Sequence, residues 1–308
     1  MTVVIETRNL SRYYGNVLGL SDVSLDIESG ITGLLGPNGA GKSTFMKLVT
    51  GQMKPNIGTV TIGGRRVWNN FPLFSRVGFC PEQDSFYEDV TGWEFLTGLL
   101  SFYGYSDAEV KHRAARALGI VELAQDKDRK IRSYSRGMRQ RVKFAQAIAH
   151  DPDIIILDEP LSGLDPLGKR RLIRLIKGYQ SEGRTILVSS HVLPEIEAMT
   201  SRIILIHQGK ILAQGDIHYI RDLIEKHPHM ISVKCDDPRA AAAEFVRDEG
   251  ILRMSFGTDG RTLVVETHKR DDFFSRLQAV ILEKGMTVDE ISSPDDNLQA
   301  VFDYLVGK

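Results

Sequence analysis

Cysteine is nearly absent from this 308-residue chain, which has only Cys80 and Cys235. They lie far apart, with no further Cys or His at ligand spacing, so neither a disulfide framework nor a zinc site is supported and a reduced, cytoplasmic compartment fits best. Long apolar runs are missing as well. No window reaches the roughly 18 apolar residues needed to cross a bilayer. Met1–Arg8 lacks the charged head and apolar stretch of a secretory leader, so any membrane role is expected to come through a partner. Net charge is scarce too: a balance of −1 gives no general pull toward nucleic acid or anionic lipid, and no nucleic-acid partner is expected. The remaining composition, 42% hydrophobic and 26% charged, is that of an ordinary globular protein. At this length a large core with a smaller appended one is the natural expectation.

What the sequence does have is a phosphate cradle. Gly36-Pro37-Asn38-Gly39-Ala40-Gly41-Lys42-Ser43-Thr44 follows the apolar run Ile31–Leu35 and precedes the helix-like Phe45–Val49. Glycine, four residues, then Gly-Lys-Ser is the P-loop spacing. Its glycines let successive N–H groups turn inward toward phosphate oxygens. Lys42 can reach the outer phosphates, and the Ser43 hydroxyl can ligate a magnesium ion bridging them. The following helix adds unsatisfied amides and its positive dipole end.

Upstream, residues 2–8 and 22–27 alternate as half-buried antiparallel strands do, with Tyr13-Tyr14-Gly15 between them. An aromatic ring there can stack on a base or simply fill a strand face. Downstream, Gly63-Gly64 reads as a two-residue hairpin turn, and Arg76–Cys80 as a strand delivering Gln83 from its end toward the phosphates. Helical patterning over about 88–150 interrupts the α/β alternation, with a capping box expected at Ser106–Glu109. Ser135 opens the helical stretch after Ile131–Tyr134, as an anion site or a plain N-cap. Ile154–Leu157 is apolar throughout, as a strand buried on both faces is, and delivers Asp158 and Glu159 where ligands sit in open α/β sheets. Adjacent buried acids need a metal or a proton task to offset desolvation. Asp158 suits the magnesium, and Glu159 suits the orientation or deprotonation of an attacking water. Asp165-Pro166 is a helix-start signal. His191 follows the next strand, Arg184–Val188, in the same layer as Asp158.

In this order the P-loop, Gln83, Tyr134–Met138, Asp158-Glu159, Ser162–Asp165 and His191 resemble the ATP-binding subunit of ABC transporters over residues 1–216. The resemblance implies ATP and Mg2+ as cofactors, with Gly36, Asn38, Gly39, Ala40, Gly41, Lys42, Ser43 and Thr44 on the phosphates and Ser43, Gln83 and Asp158 on the metal. It further implies Tyr14 stacked on adenine, Glu159 as the catalytic carboxylate and His191 as the residue switching on the γ-phosphate. Tyr134-Ser135-Arg136-Gly137-Met138 stands where the family's LSGGQ signature would be. In the family that segment closes over the ATP of a second subunit, here through Ser135, Arg136 and Gly137, with Asp165 in the neighbouring D-loop. The Arg136 and Met138 departures are similar to a subclass of ATPases paired with separate membrane subunits, many of them exporters. A homodimer on the inner face of the membrane, bound to a separate permease, is therefore implied. A soluble ATPase of DNA repair or the ribosome is the alternative. Neither the long coiled coils of the first nor the paired cassettes of the second is visible here.

From residue 217 the character changes. A linker helix over 217–229 is expected, followed by strand, helix, strand, strand, helix, strand and a last helix at Asp295–Leu305. This order over 230–308 predicts a small α+β, ferredoxin-like C-terminal domain behind an α/β P-loop domain. It carries no catalytic chemistry. A regulatory or dimer-stabilising module and an inert extension are its two readings, separated by whether deleting 228–308 changes ATPase rate or dimerisation.

Overall fold

Alternating side chains carry β1 (Val3–Tyr14) and β2 (Val17–Glu28) into one long antiparallel hairpin. The structure, a computed structural model, describes residues 2–216 and 229–293. Ile5 and Thr7 face the core. The pairing register then shifts, Asn9 and Asp22 adopt positive φ, and Leu10 takes the next inward place. That bulge breaks the period-two pattern and explains a difference from the sequence reading. The strands do not stop near Arg8 and restart at Asp22. Tyr13 and Tyr14 are the last residues of β1, and the turn is Gly15-Asn16. β1 also pairs with β4 (Ile57–Ile62), which turns through Gly63-Gly64 into β5 (Arg65–Arg66).

The second sheet holds the site. β3 (Ile31–Leu35) leads through the phosphate loop into α1 (Lys42–Val49). After the single turn α2 (Phe71–Phe74) comes β6 (Val77–Cys80), and then the helical segment α3 (Gly92–Ser101), α4 (Asp107–Ile120) and α5 (Arg136–Ile148). β7 (Ile154–Leu157), α6 (Pro166–Ser181), β8 (Thr185–Ser190), α7 (Leu193–Glu197), β9 (Arg202–His207) and β10 (Lys210–Asp216) complete the unit. Six strands run in the order β10-β9-β3-β8-β7-β6, parallel except for β10 on β9. β3, β7 and β8 are buried along their whole length, as strands covered on both faces must be. Phe45 and Met46 of α1 join Ile5, Leu20, Leu34 and Ile206 in one core beneath the phosphate loop.

Capping differs in detail from expectation. Ser106 accepts from the Glu109 amide, but the Glu109 carboxylate pairs with Arg113 at 2.8 Å, so the box is half made. The reciprocal box is at Thr91 and Glu94 instead.

The described residues form two compact units, one on either side of Asp216. The expected linker lies outside the described residues except for His229, which opens β11 (His229–Cys235); the helix at Asp295–Leu305 lies outside them too. α8 (Pro238–Phe245), β12 (Ile251–Phe256), β13 (Thr262–Thr267), α9 (Arg270–Lys284) and β14 (Val288–Ser292) follow. The strands are antiparallel in the order β12-β13-β11-β14, a ferredoxin-like split βαβ arrangement. Phe245 and Phe273, with ring centroids 4.9 Å apart, pack the helices on Ile231, Val233, Leu263 and Val265.

One buried titratable group makes the first unit acid-sensitive. His150, 6% exposed, sits against the Val77 carbonyl at 3.2 Å and stacks on Tyr103 at 4.6 Å. Burial pushes its pKa from 6.5 down to about 4. The fold therefore favours neutral His150, a contribution complete above the unfolded value and lost as pH falls through the folded one. Between pH 7 and 5 this amounts to about 2 kcal/mol. Denaturant unfolding at those two pH values is expected to show a correspondingly smaller loss in His150→Phe than in the wild type. An unchanged loss would assign the acid sensitivity elsewhere.

Candidate active site at the ends of four parallel strands

β3, β8, β7 and β6 are consecutive neighbours, with Leu35 level with Ser190, Leu157 with Val188 and Cys80 with Leu157. Their C-terminal ends therefore release the phosphate loop, His191, Asp158-Glu159 and the segment bearing Gln83 along one edge, where open α/β sheets bind ligands. The helix begins at Gly41, whose φ of 107° is left-handed. A Cβ there would lie 2.8 Å from the Gly19 carbonyl, so both conformation and space demand glycine. Gly209 braces the loop from β9–β10 by donating to the Ala40 carbonyl at 2.9 Å.

Lys42 turns back into its own loop. Its Nζ donates to the carbonyls of Gly36 at 2.7 Å and Pro37 at 3.2 Å, and lies 3.2 Å from Glu159 Oε1. Both side chains are nearly inaccessible, at 6% and 5% exposure. Glu159 Oε2 in turn lies 3.0 Å from His191 Nδ1, whose ring is about half exposed. Lys42, Glu159 and His191 are thus one continuous polar chain from the loop to the surface. Glu159 Oε1 is ion-paired to Lys42 yet accepts no hydrogen bond. A buried carboxylate oxygen with an open lone pair is suited to a water.

One hydroxyl fixes both acids. Ser189 Oγ accepts from the Glu159 amide at 2.9 Å and donates to Asp158 Oδ1 at 2.7 Å. Glu159 itself has φ of 48°, a left-handed backbone at a non-glycine residue. Ser189 carries no motif of its own, and its position at a strand end was the only signal for it. Cys80 beside Asp158 is fully buried, and burial pushes its thiol up to about 12, which makes it inert.

The remaining candidates fall into two groups. Tyr14 stands beside α1, exposed, its hydroxyl 3.2 Å from Thr44 Oγ1 and 3.3 Å from Met53 Sδ. Ser43 is half-buried in the first turn, while Asn38, Gly39 and Gln83 are exposed. Ser135, Arg136, Gly137 and Asp165 form a second cluster. Ser135 caps α5 by accepting from Met138 N at 3.3 Å, and Asp165 caps α6 by accepting from Gly168 N at 3.1 Å. Both are thus the plain caps that their sequence context allowed. Arg136 lies over Gly163 and reaches Ser162 Oγ at 3.4 Å; a Cβ on Gly163 would strike its guanidinium. Ser135, Gly137, Leu164 and Asp165 line one cavity of about 280 Å³. Among the described residues, the side-chain hydrogen bonds of this cluster run among its own segments rather than to the phosphate loop.

A family model described as ABC transporter matches residues 20–162. The chain is 37% identical over 224 residues to an uncharacterized ABC transporter ATP-binding protein of Synechocystis sp., a match covering 70% of this chain and 63% of that one. It is 34% identical to the bacitracin transport ATP-binding protein of Enterococcus faecalis, across 100% of this chain and 97% of the relative. A solved dimeric bacterial ABC transporter cassette shares 27% identity with a TM-score of 0.65, over 69% of this chain and 98% of the cassette. Fold, order of loops and full-length likeness agree, and the chain belongs to the ABC transporter family as an ATP-binding protein.

Proposed function

We propose that this chain is the ATP-hydrolysing subunit of an exporter and works as a head-to-tail homodimer beneath a separate membrane-spanning subunit. The Lys42–Glu159–His191 chain carries the reading, since a phosphate-binding amine, a carboxylate with an open lone pair and a surface-linked imidazole are what hydrolysis requires. In this scheme Gly36–Thr44 hold the phosphates and Tyr14 stacks on adenine. Glu159 orients the attacking water, and His191 holds Glu159 and reads the terminal phosphate. Mg2+ fits the donors present: the Ser43 hydroxyl, the Asp158 carboxylate fixed by Ser189, and the Gln83 amide oxygen are all hard ligands. Among the described residues no group of three or more His, Cys, Asp or Glu could hold a metal alone, which suits an ion shared with phosphates. When bound, it would neutralise charge on the β- and γ-phosphates.

Export is supported by the full-length likeness to a bacitracin transport ATP-binding protein and by the Tyr-Ser-Arg-Gly-Met signature. No helix among the described residues is long and apolar enough to cross a membrane. The place proposed for the chain is the cytoplasmic face, held by its permease. Recovery with ribosomes or DNA rather than with a membrane subunit would favour the soluble alternative.

The homodimer is supported by the local hydrogen bonds of Ser135 and Asp165, whose side chains cap their own helices and, among the described residues, do not bond to the phosphate loop. A mixing experiment tests it. Lys42→Ala spoils the phosphate loop and Ser135→Phe the signature, so each pure variant is expected to be inactive. A mixed dimer places the intact loop of one protomer opposite the intact signature of the other, and ATPase activity is expected to return on mixing. Two inactive proteins that stay inactive after subunit exchange would rule the composite site out.

A further inference from the structure

α5 starts at the signature and then runs beneath the site, and its polar residues at helical spacing grip the loops that carry the chemistry. Gln140, 4% exposed, donates to the Pro160 carbonyl at 2.7 Å, one residue beyond Glu159. Lys143, one turn further and 3% exposed, donates to the Glu82 carbonyl at 2.6 Å and pairs with Asp84 Oδ1 at 3.0 Å. Arg139 reaches the same segment, 3.6 Å from Asp84 and 2.9 Å from Glu88. Gln83 is thus the one residue bracketed by the two partners of a buried ammonium. Burying a lysine is costly unless its protons are satisfied, and here they are spent on the backbone and side chain on either side of Gln83.

We infer that Lys143 is a positioning residue for Gln83, so that the helix carrying the signature fixes how the metal ligand is presented. This rests on the reading of Gln83 as a magnesium ligand. Gln83 itself is exposed and its segment has no regular secondary structure, so its aim comes from its neighbours. Moving or removing Lys143 frees both of them. A helix displaced at its signature end would carry Lys143 with it and withdraw Gln83, while Gln140 acts on the segment beyond Glu159. A purely structural lysine, fastening helix to sheet, would affect unfolding and leave metal affinity alone.

The test measures Mn2+ binding by EPR to the full chain loaded with a non-hydrolysable ATP analogue, beside analogue affinity in EDTA. Lys143→Met is expected to weaken Mn2+ binding about tenfold, as loss of a group behind a metal ligand does, with affinity in EDTA unchanged. Gln83→Ala is expected to weaken it at least as much. Asp84→Asn removes the exposed partner, spares the buried amine and is expected to shift Mn2+ affinity in the same direction, so it decides the matter if Lys143→Met does not fold. Unchanged Mn2+ affinity in both Lys143→Met and Asp84→Asn, with a loss in Gln83→Ala, overturns the inference. Unchanged affinity in Gln83→Ala overturns the ligand reading, and the inference falls with it.

Discussion

Glu159→Gln is expected to lower the rate of ATP hydrolysis by about 10²–10⁴-fold, the usual contribution of a positioned general base. Nucleotide binding should survive, because Lys42 keeps its bonds to Gly36 and Pro37 and the loop keeps its brace at Gly209. The side chain stays the same length, so His191 and Ser189 lose no space. What disappears is the basic oxygen left open beside Lys42. With closure intact and hydrolysis blocked, ATP should accumulate in a dimer, visible by sedimentation. Phosphate release at the wild-type rate would remove Glu159 from the reaction. A strictly monomeric variant at saturating ATP, with its membrane partner present, would instead remove the composite site.

The second large effect concerns the protein before nucleotide arrives. Lys42→Met strands Glu159, whose carboxylate is 5% exposed, and is expected to destabilise the nucleotide-free protein by about 3 kcal/mol. His191 remains as a partner for the other oxygen, which holds the loss to the low end of the range for breaking a buried pair. Glu159→Gln in the same chain removes the uncompensated charge, so the double variant should recover most of the loss. Denaturant unfolding of the wild type, both single variants and the double variant gives the coupling directly. Additive changes across that cycle would mean that the 3.2 Å contact contributes nothing to stability. The same Lys42→Met substitution should abolish ATP binding, an effect that Glu159→Gln does not rescue.

The gathering of the phosphate loop, Asp158-Glu159 and His191 along one sheet edge was largely legible in the sequence because its parts are local. A phosphate loop, a buried apolar strand ending in two acids and a strand ending in histidine each declare themselves within about ten residues. Their assembly follows from parallel order, since every such strand delivers its loop to the same edge. What the sequence hid is pairwise and distant. Nothing near Ser189 says that its hydroxyl serves Asp158 and Glu159 together. Nothing near Lys143 announces a carbonyl 61 positions earlier in the chain. Arg136 read as a departure from a signature, and only the folded chain shows it lying across Gly163. The hairpin error has a different cause: bulges at Asn9 and Asp22 shift the alternation, so one long ribbon reads as two short strands.

The backbone at Glu159 carries a further implication. A left-handed conformation costs a non-glycine residue about 1–2 kcal/mol, and here it coincides with a carboxylate withdrawn from water. Glycine or asparagine at this position would relax the first cost, but it would also take from the buried Lys42 ammonium the carboxylate that faces it at 3.2 Å. Stability at this residue is therefore divided between a main chain that favours glycine and a buried ammonium that favours an acid. Replacing Lys42 as well should tip that balance, so that glycine or asparagine becomes the more stable residue at position 159.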